Sequence, residues 1–129
     1  MKLGFIGTGQ ISKAVINGIL NSKINYSKIY ISKRNTKISS NLKRKSKKII
    51  IFKNNQEIIN KSDWVFLAVT PSVGNKILKD LKFKKKQTII SFISTIKINE
   101  LLSVTNTFLL FIGHTNTSTT TRIWTIHTT

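Results

Sequence analysis

Residues 1–20, MKLGFIGTGQISKAVINGIL, decide the fold of this chain. Leu3 to Ile6 form a short apolar run, which is typical of a strand buried on both faces. Gly7-Thr8-Gly9 interrupts that run, and from Ile11 onward apolar or small residues return at helical spacing. A strand, a glycine turn and a helix in this order are the context that a dinucleotide-binding fingerprint requires. The other interpretation is an ordinary strand-to-helix turn in which the glycines serve geometry alone.

The glycine turn also indicates how a phosphate would be held. Gly7 allows the tight turn, and Gly9 lets the backbone come close to a pyrophosphate. The free N–H groups and the positive dipole end of the following helix would then face the anion. The third position of the G-x-G-x-x-G/A pattern holds Ser12, which is small but is not a glycine. The turn therefore predicts a dinucleotide site at the start of the first helix.

Strand-like and helix-like segments alternate along the chain as far as residue 112. Trp64 to Val69 is apolar throughout, which indicates a central parallel strand, and Pro71 suits the first turn of the next helix. Such alternation predicts an α/β fold, a doubly wound, mostly parallel sheet of the Rossmann type, spanning residues 1–112. Further predicted strands lie at residues 28–32, 49–52, 88–92 and 108–112, and predicted helices at 38–45, 55–60 and 97–102.

The composition limits the possible partners. The net charge of +18 suggests a nucleic-acid-binding module, but only three of the 22 basic residues are Arg. Lys, Ile and Asn, which A/T-rich codons encode, are abundant together, whereas selection for phosphate binding would enrich Lys and Arg alone. We therefore attribute most of the charge to base composition and keep the nucleic-acid-binding module as the alternative.

Other classes of protein are disfavoured by particular residue counts. The longest apolar runs are far shorter than the ~20 residues of a membrane span, so we expect no membrane association. The two histidines, His114 and His127, are too few for a zinc site, so we expect no metal. The absence of cysteine fits a cytoplasmic protein.

The segment after the second predicted strand indicates which dinucleotide is bound. An acidic residue there would bond to the ribose 2′-OH of NAD, whereas basic and hydroxyl residues accommodate the 2′-phosphate of NADP. This chain has Ser32-Lys33-Arg34-Asn35 and no acid nearby, and the planar fork of Arg suits phosphate oxygens. The segment therefore predicts NADP(H), unless Lys33 and Arg34 only reflect the general basicity.

Four motifs together carry a resemblance to a known family. They are Gly4 to Gly9 (GFIGTG), Asn55-Gln56-Glu57, Ser62-Asp63 and Leu67 to Pro71 (LAVTP). Through them, residues 1–102 resemble the amino-terminal NADP-binding domain of pyrroline-5-carboxylate reductase. The resemblance implies an NADP-dependent oxidoreductase that delivers hydride to the imine carbon of 1-pyrroline-5-carboxylate, the last step of proline biosynthesis. Another Rossmann dehydrogenase with a different substrate remains open, because this domain reports the cofactor and not the substrate.

The resemblance also implies roles for individual residues. It places the pyrophosphate on Gly7, Thr8, Gly9, Gln10, Ile11 and Ser12, and the 2′-phosphate on Ser32 and Arg34, while Lys33 between them is a candidate for the cofactor site because of its charge. It places Asn55 on the adenosine side, and Ala68, Val69, Thr70 and Pro71 near the nicotinamide half. Thr70 stands where the family usually has Lys. No catalytic residue is assigned.

The last residues depart from the family pattern. After the sixth strand the family continues with an Arg-x-x-Pro segment and a long helical domain that forms the dimer and most of the substrate pocket. Here residues 111–129 read FIGHTNTSTTTRIWTIHTT. We expect residues 113–129 to be a Thr-rich tail that is unstructured or results from a reading-frame change near Phe108, because codons can be chosen whose neighbouring frame encodes Arg-Ala-x-Pro. The helical dimerisation domain would then be absent.

Overall fold

Strands and helices alternate in the computed structural model, which describes residues 1–84, 86–93, 108–115 and 118–126. The strands are β1 (Lys2–Ile6), β2 (Lys28–Ser32), β3 (Ile49–Phe52), β4 (Trp64–Leu67), β5 (Thr88–Ser91), β6 (Phe108–Thr115) and β7 (Ser118–Ile126). The helices are α1 (Gln10–Leu20), α2 (Thr36–Lys45), α3 (Asn55–Lys61) and α4 (Pro71–Ile77). The predicted helix at residues 97–102 lies outside the described residues. None of the described helices is long and apolar enough to cross a membrane.

The seven strands form one sheet in the order β3-β2-β1-β4-β5-β6-β7. Strands β1 to β6 pair in parallel, and β7 pairs antiparallel with β6. From β1 the chain builds outward to β3, then returns to place β4 on the other side of β1. This reversal is the switch point of a Rossmann sheet, and the predicted fold class is confirmed.

Apolar residues of the central strands alternate between two cores, one on each face of the sheet. Phe5 packs in the core that contains Ile16 of α1 and Leu42 of α2. Its neighbour Ile6 packs in the core that contains Ile58 of α3. Successive side chains of a strand point to opposite faces, so a strand that is apolar at every position requires helices on both sides. The doubly wound arrangement follows from this pattern.

Gly4 in β1 sets how closely α3 approaches the sheet. A Cβ at this position would overlap Ser62 Oγ and lie 2.7 Å from Ile58 Cγ2. The buried Ser62 hydroxyl donates to the Ile58 carbonyl at 2.6 Å, which closes the end of α3 directly over β1. A side chain at residue 4 would therefore push α3 away, together with the Asn55 that begins it.

The carboxyl-terminal strands differ from the expectation of an unstructured tail. β6 runs to Thr115, and Ser118–Ile126 pairs with it so that Phe111 lies opposite Trp124. Thr and Ile are β-branched and favour strands, which explains why a Thr-rich segment extends the sheet. The reading-frame change is a statement about the gene and stays a prediction. The domain boundary at residue 112, which follows the pattern of the family, stays a prediction as well.

Candidate functional site

A cleft opens at the carboxyl ends of the parallel strands, where β1 lies between β2 and β4. It consists of two adjoining cavities of about 440 and 550 Å³, which share Gly7, Arg34, Thr36 and Val69. Ligands of open α/β sheets bind outside the carboxyl ends of the strands, at the point where the strand order reverses. The cleft lies at that point.

Gly7 closes the end of β1 against the end of β4. Its φ of +94° is a conformation that residues with a Cβ rarely adopt. A Cβ would also overlap the Ala68 carbonyl oxygen and lie 2.7 Å from Val69 Cγ1. The turn can therefore pass this close to β4 only with glycine at residue 7, and this contact joins two walls of the cleft.

Gly9 leaves the start of α1 open. It is the N-cap residue, with φ −111° and ψ −160°, and a Cβ there would meet nothing within 4 Å. No side chain caps the helix, and its first turn carries no acidic residue. The first N–H groups of a helix lack partners within the helix, so they are available to a ligand. Together with the helix dipole they favour an anion in the open space beside Gly9.

The buried side chain of Ser12 stabilises the glycine turn on the side that faces the protein interior. Its side chain is fully buried, and its hydroxyl donates to the Gly7 carbonyl at 2.5 Å. The prediction that Ser12 contacts a pyrophosphate therefore needs one correction: the side chain faces the protein, and only the backbone N–H lies at the helix start. A serine in the third position of the glycine pattern is explained by this bond.

Thr8 and Ser32 join the glycine turn to the end of β2. Their side chains are 4% and 6% exposed. Thr8 Oγ1 lies 2.7 Å from the Ser32 carbonyl oxygen and also 2.7 Å from Ser32 Oγ. The hydroxyl of Ser32 is thus engaged with Thr8 at the same time as the residue lines the smaller cavity.

Basic side chains form the rim of the cleft on the β2 and β3 side. Lys33 and Arg34 follow β2, Lys53 follows β3, and all three are exposed and line the smaller cavity with Asn55. No Asp or Glu in the described ranges lines either cavity. Asn35 accepts a hydrogen bond from the Ile38 N–H at 3.2 Å and so begins α2 directly after Arg34. The rim therefore attracts anions and holds no carboxylate that would repel them.

The end of β4 forms the opposite wall. Ala68 donates its N–H to the Ile6 carbonyl at 2.9 Å, which continues the pairing of β4 with β1 into the cleft. Ala68, Val69 and Thr70 line the larger cavity with Val73 of α4. This wall is mostly apolar, in contrast to the basic rim, so the two sides of the cleft suit chemically different parts of one ligand.

The family model described as NADP oxidoreductase, coenzyme F420-dependent, matches residues 2–95. The chain belongs to this family. Pyrroline-5-carboxylate reductase 3 from Danio rerio is 34% identical over 105 residues, which are 78% of this chain and 35% of that protein.

Solved structures agree with this assignment. The crystal structure of 1-pyrroline-5-carboxylate reductase from Streptococcus pyogenes has a TM-score of 0.72 at 28% identity, over 88% of this chain and 42% of that one. The Plasmodium falciparum pyrroline carboxylate reductase with NADP bound has a TM-score of 0.69 at 22% identity, over 88% and 42%. The chain spans about two fifths of the length of these relatives. The predicted resemblance to the amino-terminal NADP-binding domain of pyrroline-5-carboxylate reductase is confirmed, as is NADP as the cofactor of the family.

The cleft of this NADP oxidoreductase domain brings together most of the residues predicted from the sequence. Gln10 instead lies in a neighbouring cavity between α1 and α2, Ile11 is 47% exposed, and Pro71 is exposed at the start of α4; neither Ile11 nor Pro71 lines the two cavities of the cleft. The predicted residues that line the cleft are Gly7, Thr8, Gly9, Ser32, Lys33, Arg34, Asn55, Ala68, Val69 and Thr70.

Some residues that line the cleft were not predicted. Lys53 follows the third predicted strand, whose carboxyl end meets the same edge of the sheet, so the rule that singled out Arg34 would also have found it. Ile77 lies at the end of α4 and reaches the cavity through tertiary packing that no local pattern shows. Asn35, Thr36, Lys37 and Val73 complete the set. The described residues contain no group of three or more His, Cys, Asp or Glu side chains that could hold a metal ion.

Proposed function

We propose that this domain binds NADPH in the cleft and serves as the dinucleotide-binding part of a reductase of the pyrroline-5-carboxylate reductase type. The observation that carries the proposal is the glycine turn at the switch point of the sheet. Gly7 packs against the end of β4, and Gly9 leaves an open space before the uncapped start of α1. This is the cradle that a pyrophosphate requires.

The walls of the cleft support an orientation for the rest of the cofactor. The basic rim of Lys33 and Arg34 suits the 2′-phosphate, and Asn55 on the same cavity suits the adenosine side. Ala68 and Val69 on the apolar wall suit the nicotinamide half, with Thr70 and Pro71 following at the start of α4. The pyrophosphate would lie between the two sides, against the backbone of Gly9, Gln10 and Ile11.

The substrate part of the proposal rests on the relatives. Bound NADPH would supply the hydride that reduces the C=N bond of 1-pyrroline-5-carboxylate in the last step of proline biosynthesis. The contribution of this domain to such a reaction is placement and electrostatics. The uncapped helix start and the basic rim fix the charged end of the cofactor, and the apolar wall leaves its reactive end away from the positive side chains.

Titration of the chain with NADPH and with NADH, followed by nucleotide fluorescence at two salt concentrations, tests the proposal. We expect NADPH to bind about tenfold more tightly than NADH, because a charge-assisted hydrogen bond to the extra phosphate is worth about 1.5–3 kcal/mol. The preference for NADPH over NADH should survive moderate salt. If the chain is instead a basic nucleic-acid-binding module, its binding of polyanions should weaken steeply as the salt concentration rises. Absence of saturable binding by a chain that circular dichroism shows to be folded would refute it.

Replacing Arg34 by alanine should weaken NADPH binding about tenfold and change NADH binding less than twofold, because the lost contact is to a phosphate that only NADPH carries. Arg44→Ala is the matched control. It removes the same unit of charge from the last turn of α2, outside both cavities of the cleft. Equal weakening of NADPH binding by both variants would mean that the overall charge of +18, rather than a specific contact, attracts the nucleotide.

A further inference from the structure

Thr8, which lines the larger cavity of the cleft, and Ser32, which lines the smaller one, form a buried hydroxyl pair. The two residues are 24 positions apart in sequence and meet because the turn after β1 lies beside the end of β2. Thr8 belongs to the turn predicted to hold the pyrophosphate. Ser32 lines the same cavity as Lys33 and Arg34, the residues proposed to meet the 2′-phosphate.

The two hydroxyl protons of Thr8 and Ser32 can be arranged in more than one way. Each hydroxyl has one proton to donate and lone pairs to accept with. Thr8 Oγ1 lies 2.7 Å from both the Ser32 carbonyl oxygen and Ser32 Oγ, so its proton can point to either without movement of the heavy atoms. When Thr8 donates to the carbonyl, the bond between the hydroxyls uses the proton of Ser32. When the Thr8 proton is shared between the Ser32 carbonyl oxygen and Ser32 Oγ, both contacts keep their donor, and the proton of Ser32 is free for a third group.

We propose that Thr8 is a positioning residue for cofactor choice, which holds the Ser32 hydroxyl and frees its proton for the 2′-phosphate of NADPH. The inference rests on the proposed function. With NADPH, the chain of donors runs from Thr8 to Ser32 to the phosphate, and each bond strengthens the next. With NADH there is no phosphate to accept, and the proton of Ser32 stays within the pair. Thr8 then raises the affinity for NADPH relative to NADH, rather than the affinity for both nucleotides equally.

A simpler role for Thr8, shaping the glycine turn, makes a different prediction. The turn has a second buried hydrogen bond, from Ser12 Oγ to the Gly7 carbonyl, which does not involve β2. Loss of a bond that only shapes the turn would weaken NADPH and NADH together, because both share the pyrophosphate. The ratio of the two dissociation constants therefore separates the two roles.

The test measures dissociation constants for NADPH and NADH on the whole chain and on three variants. Thr8→Val keeps the shape of the side chain without the hydroxyl and should lower the NADPH preference about three- to tenfold, the worth of one hydrogen bond. Thr8→Ser retains the hydroxyl and should restore the preference to within about twofold. Ser12→Ala, the matched control in the same turn, should affect both nucleotides equally and leave the preference unchanged.

The outcomes distinguish this inference from the proposed function. A wild-type chain without NADPH preference refutes the proposed cofactor contacts themselves. A wild-type preference that Thr8→Val leaves unchanged, or equal weakening of both nucleotides, overturns the role of Thr8. If Thr8→Val does not fold, Thr8→Ala provides the decision, because it removes the same hydroxyl without adding a methyl group beside Ser32. It should lower the preference by a similar factor, and an unchanged preference in Thr8→Ala overturns the inference.

Discussion

Replacing Gly7 by alanine is expected to destabilise the domain by about 2–5 kcal/mol. A φ of +94° costs a residue with a Cβ about 1–2 kcal/mol. The new Cβ would also overlap the Ala68 carbonyl oxygen and crowd Val69, and such overpacking costs about 1–3 kcal/mol. Domains of this kind have a free energy of unfolding of about 5–15 kcal/mol, so the loss is a large share of it. Urea denaturation followed by circular dichroism measures the change.

Gly18→Ala is the matched control for this prediction. Gly18 lies within α1, and a Cβ there would meet nothing within 4 Å. The same chemical change should therefore raise the stability by about 0.5–1 kcal/mol, because glycine is unfavourable inside a helix. Wild-type stability in Gly7→Ala would show that the contact between the turn and β4 does not need glycine, and the account of the cleft wall would be wrong.

Replacing Gly9 by threonine is expected to weaken NADPH binding about 100-fold while leaving the fold intact, which corresponds to one or two lost hydrogen bonds to a charged group. The backbone of Gly9 is extended, and the space beside it is open, so the fold tolerates the side chain. Threonine is about as good an N-cap as glycine. The side chain would occupy the volume that the pyrophosphate needs, and its hydroxyl would compete for the first N–H groups of α1.

This prediction requires that Gly9→Thr weakens nucleotide binding without lowering the stability of the fold. The pyrophosphate is common to both nucleotides, so Gly9→Thr should weaken NADH and NADPH by the same factor, unlike Arg34→Ala. Thermal denaturation should show a midpoint close to that of the wild type. A variant that binds NADPH within a few-fold of the wild type would place the pyrophosphate elsewhere and remove the basis of the proposed function.

Much of the fold could be predicted from the sequence because the signals are local. Strands that are apolar at every position, such as Trp64 to Leu67, reveal burial on both faces, and Gly7 to Gly9 reveals a turn. The tail, residues 113–129, carries conflicting signals, since its polar composition suggests a loop while its β-branched residues favour a strand. In the structure Ser118–Ile126 pairs with β6. Where polar composition and strand propensity conflict in this way, the availability of a neighbouring strand for pairing determines the secondary structure of the segment.

Contacts within the site were less accessible to sequence reasoning. Ser12 looks like a member of the phosphate loop, but its hydroxyl is buried against Gly7. The contact of Thr8 with Ser32 depends on the register of β1 against β2, which pairs Phe5 with Ile31 and so brings Thr8, just beyond the end of β1, to Ser32, the last residue of β2. A shift of one residue would separate them, and nothing in the local pattern fixes that register.

The hydrogen bond that begins α2 has a consequence for how cofactor choice can change in this family of domains. Asn35 secures the first turn of the helix through the Ile38 N–H, while Lys33 and Arg34 are exposed side chains before it. Residues 33 and 34 can therefore be exchanged without altering where the helix begins. The chemistry that distinguishes one dinucleotide from another is thus separated, within three consecutive residues, from the chemistry that holds the backbone, and a lineage can adapt the first while conserving the second.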